Sequence, residues 1–243
     1  MGDYIVKYMG SKKKISKYLL PIVLKDRYEN QFYIEPFVGG ANMIDKVSGN
    51  RIGADVNEYV ISLFNDIQKG WVPPDHITKK EYLDIKSKPD ENKTLTAWAG
   101  TCCSFGSKWF GGWIDKYGEN KKRKDGTIPD RQLESKRSLI KQKALLLGID
   151  FQHTCYSKLN IPPKSKIYCD PPYNGTTGYK DNFNHDDFWQ WCREQAQDGH
   201  DVYISEYNAP DDFQCIWSMN VKTVLNKNSQ IDHRVEKLFQ YIQ

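Results

Sequence analysis

The strongest constraint on this chain is a strand that breaks into paired glycines and is followed by a second strand ending on an acid. Phe32-Tyr33-Ile34-Glu35-Pro36-Phe37 is apolar and aromatic, and it reads as a buried strand. It runs into Val38-Gly39-Gly40, a tight turn, with a helix expected over Ala41-Asn42-Met43-Ile44. Arg51-Ile52-Gly53-Ala54 reads as a second strand ending at Asp55. Asn57 is placed to cap a helix whose Val60, Ile61, Leu63, Phe64 and Ile67 recur with helical period, and Gly70 stops it. Strand, glycine turn, helix, strand, acid is one nucleotide-binding half of a doubly wound sheet. Glycines permit the sharp bend and a close backbone approach, so Glu35, Pro36, Phe37, Gly39 and Gly40 are candidate cofactor-binding residues. Asp55 stands where an acid bonds ribose hydroxyls, although an acid there can also serve only as a turn residue.

The rest of the chain fits around that half. A short basic helix is expected after Gly10, with Ile15, Leu19 and Leu20 inward and Pro21 kinking or ending it. Residues 71–134 hold Pro73-Pro74, the aromatics Trp98, Trp109, Phe110 and Trp113, and the basic run Lys121-Lys122-Arg123-Lys124. Strand–helix alternation fades here, so this segment reads as an inserted, mostly helical subdomain. Residues 1–70 and 135–243 then form a discontinuous main domain. A helix is expected over about Glu134–Leu147 and another near Asp186–Gln197, ending at Gly199. Strands are expected at Ile149–Phe151, Lys166–Cys169 and Val202–Ser205, with an antiparallel pair near Val221–Leu225 and Lys237–Ile242. The expected architecture is α/β: a seven-stranded, mostly parallel Rossmann-like sheet with a C-terminal antiparallel hairpin and the helical insertion.

Asp170-Pro171-Pro172-Tyr173 carries the sharpest chemical signal. It follows the Lys166–Cys169 strand, so it sits at a strand's carboxyl end, where open α/β sheets place their ligands. Alone it could be a proline turn with a capping aspartate; the glycine-turn half upstream favours a site. The residue types suit an exocyclic amino group, whose lone pair is conjugated into its ring and is therefore a weak nucleophile. The Asp170 carboxylate and the Pro171 carbonyl can accept its two hydrogens and stabilise the positive charge that develops during attack. The prolines, Pro171 and Pro172, fix the backbone that holds that carbonyl. Tyr173 can stack on the base. Attack on a sulfonium methyl needs no covalent enzyme intermediate, and a base in a duplex must first flip out of the stack.

Composition removes other classes. The six cysteines, Cys102, Cys103, Cys155, Cys169, Cys192 and Cys215, form no C-x-x-C pair, and neither they nor the five histidines have metal-ligand spacing, so no metal is expected. The N-terminus lacks an apolar signal core and no run reaches membrane-spanning length, so a cytoplasmic protein with reduced thiols is expected. Tyr8-Met9-Gly10-Ser11-Lys12 lacks the full phosphate-loop pattern, which argues against a P-loop ATPase; a solvated, lysine-rich helix start is its plain alternative. A net charge of +4 and a pI near 8.5 permit nucleic-acid binding without requiring it.

With these segments in order, the chain resembles the Dam-type, or D12-class, adenine-specific DNA methyltransferases. Those carry a lysine motif, then the cofactor turn, a target-recognition insertion and a D-P-P-Y motif, the alpha order of amino methyltransferases. Tyr4–Lys12 resembles the family's W/Y-x-G-G-K segment, implying that Tyr8, Gly10 and Lys12 contact S-adenosyl-L-methionine. Ala54-Asp55-Val56-Asn57 is similar to its A-D-I-N segment, implying Asp55 on the ribose. Asp170 would face both the cofactor's methionine end and the adenine amino group. Ser104–Gly112 resembles a segment of phage-type members. The resemblance implies transfer of a methyl group to N6 of a flipped adenine in duplex DNA, in the cytoplasm of a bacterium or a phage-infected cell. A cognate restriction endonuclease would be a partner in function only. Lys108, Trp109, Lys121, Lys122, Arg123, Lys124 and Arg131 are the candidate DNA-contacting residues, the basic run being equally readable as a solvated face.

The chain departs from the family pattern at three places. Ser11 stands where a second glycine is usual, Ala41 follows Gly39-Gly40 where glycine is frequent, and Cys155 stands near a position where many relatives carry an acid. The competing readings are a cytosine-N4 or RNA adenine methyltransferase and an inactive DNA-binding relative. Asp170 in place of the serine more common in cytosine enzymes, and the intact Lys12, Asp55 and Asp170–Tyr173 positions, favour the adenine enzyme.

Overall fold

The computed structural model describes residues 11–114, 126–173, 183–223 and 232–242. Their strands form one seven-stranded sheet: β1 (Tyr33–Glu35), β2 (Arg51–Asp55), β3 (Asp150–His153), β4 (Lys166–Cys169), β5 (Asp201–Glu206), β6 (Phe213–Thr223) and β7 (Asp232–Tyr241). The spatial order is β3-β2-β1-β4-β5-β7-β6. The first five strands run parallel; β7 pairs antiparallel with both β5 and β6. From β1 the chain winds outward through β2 to β3, then returns to β4 on the other side of β1. The β1/β4 boundary is therefore the topological switch point, and open sheets bind ligands just outside the carboxyl ends of such strands. The Glu35–Gly40 turn and the Asp170 motif both emerge there.

All four residues of β4 are buried, because helices cover both faces of the sheet. Alternating side chains divide the core. Tyr33, Tyr168, Tyr203 and Leu238 pack on one face with α1 (Ser16–Val23) and α2 (Glu58–Gln68). Ile34, Ile167, Cys169 and Phe239 pack on the other with Phe188, Trp191 and Cys192 of α6 (His185–Gln197). Helix α2 is capped by Asn57, whose side chain accepts from the Tyr59 and Val60 amides, and Gly70 ends it at a φ of 106°.

Helices α3 (Lys79–Ser87) and α4 (Lys93–Ala97) follow, opened by a Thr78/Glu81 capping box and by Asn92. A wider π-type turn over Trp98–Cys102 continues α4. Ala97, Trp98, Ala99, Cys102 and Cys103 enter the same core as α1 and α2. Helix α5 (Arg131–Leu146) leads back to β3.

Three sequence expectations change. No helix forms over Ala41–Ile44: Gly39 (φ 46°) and Ala41 (φ 56°) are left-handed, which breaks helical propagation, and only a 3-10 turn at Ile44–Lys46 follows. Pro21 neither ends nor visibly breaks α1, which continues to Val23. Pro21 lies five residues in, so only the Lys17 carbonyl loses its helical partner. Ile15, Leu19 and Leu20 are buried as expected. The terminal antiparallel pair is longer than expected, reaching back to Phe213 and Asp232, with an irregularity between Cys215 and Trp217. Polar residues on its exposed face hide its length in sequence. No described helix is long and apolar enough to cross a membrane.

Candidate active site

Lys12 opens a 3-10 turn, Lys12–Lys14, that Ser11 caps by accepting from the Lys13 amide. Of its three lysines only Lys12 is buried, at 7% exposure. A buried ammonium needs partners, and the far strands supply them. Lys12 Nζ lies 2.9 Å from Asp170 Oδ1 and 3.5 Å from Glu236 Oε2. It also stands over the Tyr173 ring, 4.6 Å from its centroid. The Tyr173 hydroxyl donates to Glu236 Oε2 at 3.0 Å, and its ring meets Tyr207 at right angles, 4.6 Å between centroids. One strand end (Asp170–Tyr173), the chain before α1 (Lys12) and the sheet's antiparallel strand (Glu236) thus converge on one cluster.

The electrostatics follow from burial against pairing. Desolvation pulls the Lys12 ammonium down, but Asp170 and Glu236 more than offset it, so its pKa lies above the ordinary 10.5 and it is charged at neutral pH. Burial pushes the Asp170 carboxyl up from its ordinary value, and Lys12 opposes that rise. The geometry favours the ion pair, because Asp170 keeps 23% of its side chain open and can be solvated there. Burial, then Asp170 and Glu236, hold Tyr173 well above the usual phenol range, so it remains a neutral donor.

The turn after β1 is built from backbone bonds. Val38 N donates to Ala54 O at 2.8 Å and Gly39 N to Asp55 Oδ2 at 3.0 Å. Asp55 Oδ1 accepts from Asn57 N at 2.9 Å, so this acid also does the work of a turn residue. The buried Gln142 of α5 donates to Gly40 O (3.2 Å) and Asp45 Oδ2 (3.0 Å), holding the turn from behind. Phe37 packs against Tyr156 (5.4 Å), Phe183 (5.7 Å) and Phe188 (5.6 Å), making an aromatic wall beside Cys155. Pro36 is buried. Glu35 is buried as well, at the end of β1, and accepts from the Tyr33 hydroxyl at 2.8 Å.

The candidates of the insertion are elsewhere. Trp109 leans on Tyr59 of α2 (5.5 Å) and on Phe110, lining a cavity of about 310 Å³ with Tyr59, Lys86, Pro89 and Phe110. Lys108 is exposed, and Arg131 is half-buried at the start of α5. Tyr8, Gly10, Lys121, Lys122, Arg123 and Lys124 lie outside the described residues. The sequence reading missed Glu236 and Gln142: neither sits in a motif, and only strand pairing and helix packing bring them to the site.

The cluster and the turn bring a cation, two carboxylates and an aromatic group to the carboxyl ends of β1 and β4, at the switch point. Residues 8–96 match the family of D12 class N6 adenine-specific DNA methyltransferases. The D12 match covers Lys12, the glycine turn and Asp55, and stops short of the Asp170 motif that Lys12 pairs with. The chain is also similar to the type II methyltransferase M.FokI of Planomicrobium okeanokoites, at 26% identity over 208 residues, 77% of this chain and 31% of that protein. It therefore spans about a third of that relative's length. Among solved structures, that of SMU.472 complexed with SAH matches at a TM-score of 0.38 and 9% identity, covering 96% of this chain and 52% of that one.

Proposed function

We propose that this chain is a site-specific DNA adenine methyltransferase that moves a methyl group from S-adenosyl-L-methionine to N6 of a flipped adenine in duplex DNA. The observation that carries the proposal is the pairing of Lys12 with Asp170 at the β1/β4 switch point, with Tyr173 against both. The D12 match over residues 8–96 supports the choice of reaction.

The residues fit the methyl donor. Asn42 Oδ1, buried just after the glycine turn, has no partner among the described residues and is ready to accept from a ligand. Lys12 suits a carboxylate, Asp55 keeps lone pairs for ribose hydroxyls, and the Phe37–Tyr156–Phe183 wall suits an adenine ring. Tyr8 and Gly10 join this set as proposed contacts. The bound donor supplies an electrophilic sulfonium methyl.

The protein's part is to prepare the amine. Asp170 and the Pro171 carbonyl each accept one amine hydrogen, which draws electron density onto the nitrogen and stabilises the charge it gains. Pro172 fixes that backbone, and Tyr173 stacks on the extruded base. The 71–134 segment is the proposed target-recognition unit, with Lys108, Trp109, Lys121–Lys124 and Arg131 against DNA. A cytoplasmic location follows from such a substrate.

The test is transfer of labelled methyl from S-adenosylmethionine to unmethylated duplex DNA, followed by digestion to nucleosides. Label in N6-methyladenine is expected. Label in methylcytosine overturns the substrate; no label from protein that binds the donor overturns the reaction.

A further inference from the structure

We infer that Glu236 is a positioning residue of this site: it grips Lys12 and Tyr173 together, and it restores the negative charge that Lys12 would otherwise cancel at Asp170. The inference rests on the function proposed above.

Three observations carry it. First, Glu236 Oε2 receives both the Tyr173 hydroxyl (3.0 Å) and the Lys12 ammonium (3.5 Å), so one oxygen fixes two parts of the site. A tyrosine held at its hydroxyl end presents its ring in one orientation, which a stacking residue requires. Second, Glu236 is mostly buried, at 13% side-chain exposure, while its strand neighbour Lys237 pairs in register with Glu206 of β5. The β5–β7 register fixes which face Glu236 takes, since a slip of one residue would turn it to the other side.

Third, the cluster carries a net negative charge only with Glu236 counted. Lys12 and Asp170 alone are neutral. With both carboxylates ionised, Lys12, Asp170 and Glu236 carry one net negative charge. In the proposed reaction the adenine nitrogen forms its bond to the methyl carbon as the methyl–sulfur bond breaks; the sulfonium leaves as a neutral thioether, the positive charge passes to the nitrogen, and the methylated nitrogen then gives its proton to solvent water. A site with net negative charge stabilises the cationic nitrogen at the moment it forms, and in surroundings of low dielectric this effect is large. Glu236 takes no proton and touches no substrate; it acts through Lys12 and Tyr173.

The test compares wild type with Glu236→Gln, Glu236→Asp and Glu236→Ala. Gln keeps the shape and an acceptor for Tyr173 but removes the charge; Asp keeps the charge at shorter reach. The expected result for Gln is a fall in kcat of roughly 10- to 100-fold. The KM for S-adenosylmethionine should not rise, because Lys12 is released from one of its two carboxylates. The Tm should stay within about 2 °C of wild type, as for an exchange that leaves the fold intact. Asp should recover part of kcat. Wild-type kcat in Glu236→Gln overturns the inference, as does a loss that tracks Tm across all three variants. A wild-type chain that transfers no methyl sinks the proposed function. In that event nuclear magnetic resonance titration of Lys12 in labelled protein still decides whether Glu236 grips it: its pKa should fall in Glu236→Gln, and an unchanged value overturns the grip.

Discussion

Gly39 gives its amide hydrogen to the Asp55 carboxylate across 3.0 Å, tying the turn after β1 to the end of β2. The other carboxylate oxygen is taken by the Asn57 amide at the head of α2. One side chain thus fixes both loops that border the proposed donor site. In Asp55→Asn an amide NH₂ must face one of these N–H donors. The expected cost is about 1–3 kcal/mol of stability, together with weaker S-adenosylmethionine binding. Urea denaturation and calorimetric titration measure both; a variant equal to wild type in each would refute this role.

Removing Lys12 leaves two half-buried carboxylates, Asp170 and Glu236, without their shared cation. Lys12→Met should destabilise the fold by about 3 kcal/mol, the scale for breaking a buried ion pair. The double variant Lys12→Met/Asp170→Asn should recover part of that loss, since it removes the uncompensated charge as well. A double variant no more stable than the single would show that Asp170 and Lys12 are not energetically coupled.

Glu35 gives a prediction in pH. Burial, opposed by the Tyr33 hydrogen bond, holds its carboxyl well above the ordinary 4.5. An acid with a raised folded pKa binds its proton more tightly folded than unfolded. It therefore costs no stability below the unfolded value, and its cost grows as pH rises above about 4.5 until the folded pKa is passed. Glu35→Gln should be as stable as wild type at pH 4 and more stable at pH 8. Thermal melts across that range decide; a gap that is constant with pH rules out the raised carboxyl.

Gly100 separates the two halves of the proposed function. A Cβ there would lie 2.9 Å from Trp109 Cζ3 and 3.0 Å from Phe110 Cε2. Gly100→Ala should displace this aromatic segment, at a cost of about 1–3 kcal/mol for overpacking. Duplex DNA affinity, read by fluorescence anisotropy, should fall while S-adenosylmethionine affinity holds. Loss of donor binding instead would place Trp109 in the methyl-donor site.

Much of this was legible in sequence because it is local. Lys166–Cys169 is a strand at the expected bounds, and Asn57 caps α2 as its spacing indicates. Asp170 stands at a strand end because an apolar run precedes it. Ala41 was read as the start of a helix because a glycine turn after a strand ordinarily leads into one, but here the turn holds it left-handed, with tertiary bonds fixing Gly39 and Gly40. Glu35, read as a cofactor contact from its place in the turn, is buried with the rest of β1, and its burial was not legible because an acid in a strand is ordinarily exposed. Glu236 carries no local sign, for its role depends on β7 lying between β5 and β6.

That placement of β7 has a consequence for the life of the chain. The strand that brings Glu236 to Lys12 is the last described strand to be synthesised, and it is inserted between two strands made before it. A growing polypeptide can lay down the glycine turn, the Asp170 motif and most of the sheet, and still lack the charge that completes the site. On the proposed function, the site is complete only once β7 is in place, so a nascent or nicked molecule missing that strand would lack Glu236 beside Lys12 and Tyr173.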